Sequence, residues 1–394
     1  MLRILRPAIA RRYIHNINVP FQDDLTPAEL DDFNLGDFQH YQESPSVLAH
    51  KSKLLTFEDY TVLDEPVIFN SKLTDPYMNL ALEQHIYNQM PKPAANNTNR
   101  LLFYVNSPCV VVGKNQNPWK EVNLPLLNML GIPLLRRYSG GGTVVHDLGN
   151  VNFSFMTTKE KFDRFTFAHA VSKGVNGCNG KQVQVNERGD IVTTDGFKVS
   201  GSAYKLSKGK SYHHGTMLLN SNLKVLSKLL SRSDKLGVVD AMNSVASVKS
   251  KVTNLEIESS AFIQSVSQQF EHEYGLDESV KVVEVNNDTD LPQQIQDTAD
   301  ELRSWQWKFG KTPKFTHELT NKSHNFTIKF HVHKSAIIEK YELTTDSDEI
   351  REKFKYLEKY ISENELEYTG SNVAGYVLDD DISDWIGECI DGTV

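Results

Sequence analysis

The stretch Arg136-Arg137-Tyr138-Ser139-Gly140-Gly141-Gly142-Thr143-Val144-Val145-His146-Asp147 constrains the fold more than any other part of the chain. An apolar run (Ile132, Leu134, Leu135) ends on two arginines, three glycines follow, and a β-branched run (Thr143, Val144, Val145) resumes. Consecutive glycines cost backbone entropy and pack nothing, so a strand-like region should avoid them. They are accounted for if the backbone comes close to a ligand and presents bare N–H groups, with the arginines beside it to meet negative charge. A glycine-rich hairpin turn accounts for the same residues, and this segment alone does not separate the two readings.

A length of 394 residues suits two or three domains. No apolar run approaches the length of a membrane span, which argues against a transmembrane role. Cys109, Cys178 and Cys389 are scattered without a CxxC pair, pointing away from a disulfide framework or structural zinc and toward a reducing compartment. Residues 1–22 differ from the rest: they carry Arg3, Arg6, Arg11 and Arg12 and no acid before Asp23, with Leu2, Ile4, Leu5, Ala8 and Ile9 available for an apolar face. That composition reads as a mitochondrial transit peptide and places the protein in the matrix. Losing those four arginines lowers the net charge of −9 by four, to −13, which disfavours nonspecific nucleic-acid binding.

Residues 23–61 are acidic and aperiodic and read as a flexible linker. A main domain is expected over 62–285 and a small α+β C-terminal domain over 297–394, with the polar stretch Asn286–Gln296 as a hinge. PYMNLALEQHIYNQM suits a helix ending before Pro91, with Asn79 and Glu83 on one face. Short β-rich runs follow at Leu101–Val105, Cys109–Gly113, Ile132–Arg137, Thr143–His146 and Val151–Met156, placing the glycine triplet between two strands. A helix over Arg164–Val175 precedes strands at Val183–Val185, Phe197–Tyr204 and Tyr212–Leu218. Phe262, Val266 and Phe270 mark one stripe of a helix over Ala261–Tyr274. Beyond it, the alternation Phe326, Ile328, Phe330, Val332 predicts a hairpin with one covered face, and a helix follows around Ile350–Ile361.

Familiar nucleotide motifs are absent: Gly209-Lys210-Ser211 lacks the upstream glycine of a P-loop, and the triplet opens no helix. Lys198, in Lys198-Val199-Ser200-Gly201-Ser202-Ala203, is followed by small residues that leave room for a ligand; a solvated strand lysine is the plainer reading. His213 and His214 are adjacent on a strand and point to opposite faces, so at most one serves a site. Arg188 and Asp190 flank Gly189 and read either as site residues or as a loop ion pair. Ser247–Val252 fits either a basic loop over a ligand or an exposed strand. Cys178 has no adjacent base and Cys389 lies near the C-terminus, which disfavours thiol catalysis unless the fold brings a histidine or lysine to one of them.

Taken together, PYMNLALEQ, Val110–Asn123, Arg136–Met156, Lys198–Lys205, Tyr212–Asn220 and Ser247–Leu255 resemble the lipoate–protein ligase A family, in order and from about Pro76 to Trp385. The resemblance implies the α+β biotin/lipoate-protein ligase fold, a mixed sheet flanked by helices, with a small accessory C-terminal domain. It implies that Arg137, Ser139, Gly140, Gly141, Gly142, Thr143, Val144 and Val145 line an acyl-adenylate pocket. Lys198 matches the family's essential lysine, and Asn79, His146, Asp190 and His214 match positions around the pocket. Gly189 departs from the bacterial pattern, which has asparagine there.

The implied chemistry has two half-reactions. ATP with Mg²⁺ converts lipoate or octanoate to an acyl-AMP anhydride, because a carboxylate oxygen leaves too poorly for direct amide formation. A lysine ε-amine of an apo lipoyl domain then displaces AMP. The implied acceptors are 2-oxoacid dehydrogenase E2 subunits and the glycine-cleavage H protein, with no nucleic-acid or membrane partner, no dedicated protein metal site, and a monomeric enzyme. The alternative is an acyltransferase that takes lipoyl or octanoyl from coenzyme A without ATP.

Overall fold

The computed structural model describes residues 55–91, 97–178, 180–275 and 279–393; the expected transit peptide and nearly all of the expected linker lie outside them. The described part of that linker is not loose. Phe57–Thr61 is a helix closed by a reciprocal Thr56–Asp59 capping box, and Phe57 is buried against Phe69. The fully buried Arg100 side chain donates to the carbonyls of Thr61, Leu63 and Glu65, which ties this segment to the sheet.

The strands, in chain order, are β1 (Val67–Ser71), β2 (Arg100–Tyr104), β3 (Cys109–Val112), β4 (Leu134–Arg136), β5 (Val144–His146) and β6 (Asn150–Thr158). They continue as β7 (Val183–Val185), β8 (Ile191–Thr193), β9 (Lys198–Ser200), β10 (Ser202–Ser207) and β11 (Lys210–Leu218). The last are β12 (Val238–Asp240), β13 (Lys281–Val285), β14 (Phe315–Asn321), β15 (Phe326–Val332) and β16 (Ile338–Thr344). The main sheet has the order β10-β11-β6-β2-β1-β13 and is mixed: β1 runs parallel to β2 and β13, and the other pairings are antiparallel.

Both faces of this sheet are covered, which explains why β2 is buried at every residue rather than alternating. Ile68, Leu101 and Phe103 face the helices Thr166–Asn176 and Ser259–Tyr274, through Phe167, Val171, Phe262, Val266 and Phe270. Val67, Phe69 and Leu102 face the helices Pro76–Gln89 and Gln293–Arg303, through Leu82, Ile86, Ile295, Ala299 and Leu302. Asp75 caps the Pro76–Gln89 helix by accepting from the amides of Tyr77 and Met78, and Pro76 fits the first turn, where an amide would have no partner. The fold is α+β, a mixed sheet flanked by helices.

Three expectations need correction. The segment Phe197–Tyr204 is two strands, because the chain leaves the small β7-β8-β9 sheet at Gly201 and enters the main sheet as β10. The stretch Asn286–Gln296 is only partly a loop: from Gln293 it is helix, and Ile295 and Ala299 are fully buried against the Pro76–Gln89 helix. The C-terminal sheet is not drawn from 297–394 alone. Its order is β12-β14-β15-β16, so β12 covers the edge of β14, and one apolar cluster joins Val110 and Trp119 to Phe315, Phe330 and Ile386. The alternation of β15 is as expected, with Phe326, Ile328, Phe330 and Val332 buried.

Candidate functional site

The break at Gly201 positions the chemistry. Lys198 lies on β9 and Ser202 and Ala203 on β10, so one short segment supplies a cation and a small-residue wall to the same cavity of about 300 Å³. The glycine loop between β4 and β5 supplies Gly141, Gly142 and Thr143 to the same cavity, and β5 supplies Val144. Residues 245–248 close one side. Ser247 Oγ accepts from the Thr143 amide (2.9 Å) and from Gln116 Nε2 (3.0 Å), and Gln116 Oε1 accepts from the Gly113 amide (2.8 Å). The Ser247–Val252 segment is therefore a loop against the cavity, and Lys251 and Val252 pair with the backbone of Lys198.

Lys198 Nζ donates to Asp190 Oδ1 at 2.8 Å, and Asp190 is the one acidic residue lining the cavity among the described residues. Arg188 Nε is 3.9 Å from Asp190 Oδ2. The turn between them needs a left-handed residue: Gly189 has φ +82°, a region that glycine and asparagine enter most readily. Glycine therefore suits this turn.

Both arginines, read from the sequence as cations for a ligand, are bonded extensively by the protein's own carbonyls and hydroxyls. Arg136 Nη1 donates to the carbonyls of Gly113, Lys114 and Gln116, its Nε donates to Lys308 O, and its Nη2 donates to Thr312 Oγ1. Arg137 Nη2 donates to the carbonyls of Gly140 (2.6 Å) and Gly142 (2.7 Å), Nη1 to Val111 O, and Nε to Ser139 Oγ (2.9 Å). Burial pulls their pKa values down to about 9 and about 10. With the carbonyls of Gly140 and Gly142 held by Arg137, the amides of Gly141 and Gly142 find no protein acceptor among the described residues. The loop thus offers backbone N–H groups, as its composition suggested, while its guanidinium is the scaffold.

Of the residues placed around the pocket, Arg137, Gly141, Gly142, Thr143, Val144, His146, Asp190, Lys198 and His214 line the cavity. Four do not. Val145 alternates away from Val144 and His146 and packs with Val110 and Trp119. Ser139 is buried behind the loop, accepting from Arg137 and donating its hydroxyl to His214 Nε2 at 2.7 Å. Gly140 lies outside the wall and is held by its carbonyl. Asn79 is fully buried and reaches the cavity only through Asn106 and His146.

Sequence reasoning missed Leu80, Tyr104 and Asn152 as wall residues; the signal for the last was an asparagine inside a fully buried strand. It also left Glu83 without a role, although the carboxylate is buried and accepts from His214 Nδ1 at 2.9 Å. His213 turns to the opposite face, against Phe153, Phe167 and Tyr204. No cysteine lines the cavity; burial raises the Cys109 thiol and lifts that of Cys389 to about 11.

Burial holds His146, His213 and His317 at pKa values of about 3. The unfolded imidazoles titrate near 6.5, so between about pH 6.5 and pH 3 the unfolded chain binds protons that the folded chain refuses. Stability should therefore fall as pH drops below about 6.5, each histidine adding up to about 1.4 kcal/mol per pH unit. Urea unfolding at pH 7 and pH 5 should show a clearly lower midpoint at pH 5, and equal midpoints would contradict neutral burial.

This fold and cavity define a class. The chain belongs to the lipoyl protein ligase A/B catalytic domain family, whose model matches residues 75–275. It is 43% identical over 265 residues to a Saccharomyces cerevisiae protein provisionally named lipoate-protein ligase A, an alignment covering 66% of this chain and 64% of that protein. The match thus spans a little under two thirds of the yeast relative. The human "Lipoyl amidotransferase LIPT1, mitochondrial" is 37% identical over 272 residues, 66% of this chain and 70% of the relative. A Plasmodium falciparum LipL1 structure solved in complex with lipoate shares the fold, with TM-score 0.54 and 23% identity over 82% of this chain and 98% of that one.

Proposed function

We propose that the protein is a lipoate–protein ligase that activates lipoate, or octanoate, as an acyl-AMP and passes the acyl group to a lysine of apo lipoyl domains. The observation that carries this reading is the cavity itself. The Lys198 amine, anchored on Asp190, lines the same cavity as Gly141 and Gly142, whose amides have no protein acceptor among the described residues. In activation a carboxylate oxygen attacks the α-phosphorus of ATP and pyrophosphate leaves. In transfer the acceptor amine attacks the acyl carbonyl, the bond to AMP breaks, and the nitrogen loses a proton. Both steps build negative charge on oxygen, which cationic and N–H donors in a part-buried cavity stabilise.

Mg²⁺ suits the nucleotide rather than a protein cage, since Asp190 is the one carboxylate offered by the described cavity residues and phosphates ordinarily supply the other ligands. The implied acceptors are the lipoyl domains of 2-oxoacid dehydrogenase E2 subunits and the H protein. The arginine-rich first 22 residues and the mitochondrial designation of the human relative support a matrix location.

That relative's name, an amidotransferase, favours a second reading: transfer of a ready-made acyl group from another carrier, without ATP, in the same cavity. One experiment separates the two. Purified protein and apo lipoyl domain are incubated with lipoate plus MgATP, lipoyl-CoA or octanoyl-CoA, and the acceptor is weighed by mass spectrometry. Acyl adducts with lipoate plus MgATP are expected; adducts from acyl-CoA alone would replace the ligase reading with the transferase.

A further inference from the structure

The closed end of the cavity holds a polar group that the activation chemistry leaves unused. Leu80, Tyr104 and Val111 form an apolar wall there, each at most 3% exposed, whereas Val248 at the mouth is 62% exposed. His146 stands in that wall, 3% exposed. A chain of hydrogen bonds fixes its tautomer, starting from a group that can only accept. Asn79 Nδ2 donates to the Leu73 carbonyl at 2.9 Å, which sets the orientation of the Asn79 amide. The same nitrogen donates to Asn106 Oδ1 at 2.8 Å, turning Asn106 Nδ2 toward His146 Nδ1 at 2.9 Å. Asn79 Oδ1 takes the Ser71 hydroxyl at 2.7 Å and completes the chain. Nδ1 is therefore an acceptor and the ring proton sits on Nε2. Among the described residues no acceptor meets that Nε2–H. Burial, with the charge of Arg137 beside it, keeps the imidazole neutral, so the ring presents one donor and no charge.

We infer that His146 Nε2–H reads the far end of the bound acyl chain and selects a chain carrying an acceptor there, the dithiolane sulfurs of lipoate rather than the terminal methyl of octanoate. The inference rests on the acyl-pocket reading above. A carboxyl group at the Lys198 end sends its hydrocarbon tail inward, along the apolar wall toward His146. Divalent sulfur is a weak acceptor, so the gained bond alone is modest. The larger contribution is the opposite case: a methyl group shuts the N–H away from water with nothing to bond. A buried donor left unsatisfied costs roughly fivefold to 150-fold in affinity. Asn79, which does not touch the cavity, would then act as a positioning residue for substrate choice.

The test is calorimetric titration of the full chain with lipoate and with octanoate, which needs no turnover. The expected result is tighter binding of lipoate by at least fivefold. His146→Phe, which removes the donor, should bring the two affinities within about twofold. Asn106→Leu, which keeps the ring but frees its tautomer, should move the ratio the same way; thermal melts confirm that each variant is folded. Equal affinities in the unaltered protein, or an unchanged ratio in folded His146→Phe, would overturn the inference while leaving the acyl-pocket reading in place. Binding of neither acid would overturn both.

Discussion

Lys198→Met should lower lipoyl transfer to an apo lipoyl domain by roughly 10²–10³-fold or more, the loss typical of removing one well-placed donor from a developing oxyanion. The ammonium gives one of its three hydrogens to Asp190 and has two left for acyl or phosphate oxygens. Methionine keeps an unbranched side chain, one atom shorter, and removes both the charge and the donors. Adenylate formation, followed as pyrophosphate release, should fall together with transfer if one amine serves both steps of the proposed reaction. There is a structural objection: the variant leaves Asp190 facing the cavity without its nearest cation, since Arg188 is 3.9 Å away. The double variant Lys198→Met/Asp190→Asn answers it. If the damage comes from the stranded carboxylate, neutralising Asp190 restores transfer; if the amine itself is needed, the double variant is folded and equally inactive. The second result is expected, and recovery of transfer would remove Lys198 from the chemistry.

How much of this was legible in the sequence depends on the range of each interaction. The glycine loop and its flanking strands follow from local composition, and so does the division of His213 and His214 between two faces, because strand periodicity is a local rule. The use of the arginines is not local. Arg136 and Arg137 read as ligand cations, yet beyond the nearby loop carbonyls their partners are the carbonyls of Val111, Gly113, Lys114, Gln116 and Lys308 and the hydroxyl of Thr312, which only the tertiary fold brings together. Once buried, a guanidinium beside bare carbonyls must bond them, since an unsatisfied acceptor costs about 1–3 kcal/mol. Glu83 and Asn79 share a helix face, as their spacing predicts, but their roles depend on His214 and Asn106, 131 and 27 residues away. The same limit applies to β12, a three-residue strand whose identity rests on the uncovered edge of β14.

Gly113→Ala carries the other large expected effect, at a position that looked unremarkable after Val110, Val111 and Val112. A methyl group there would lie 2.2 Å from the carbonyl oxygen of Gly141 and 3.3 Å from Arg137 Nη2. The obstacle on one side is backbone and on the other a guanidinium held by four groups, so neither can swing aside. The glycine loop must retreat by about 1 Å, and a displacement of that size at a reacting centre typically costs about 10²-fold in rate. Overpacking should also lower stability by about 1–3 kcal/mol. The triplet itself should respond unevenly. Gly141 has φ +87°, so alanine there is strained by about 1–2 kcal/mol as well as crowded by Ala203. Gly142→Ala would press on Ser247 Oγ at 3.2 Å, whereas Gly140→Ala projects into open space. Initial transfer rates should therefore fall most for Gly113→Ala, next for Gly141→Ala, and least for Gly140→Ala, with urea midpoints in the same order. A Gly113→Ala protein as active as the parent, or a Gly140→Ala protein as damaged as Gly113→Ala, would mean that the loop is not seated against β3. The donor amides of Gly141 and Gly142 would then owe their direction to something other than this contact and the Arg137 clamp.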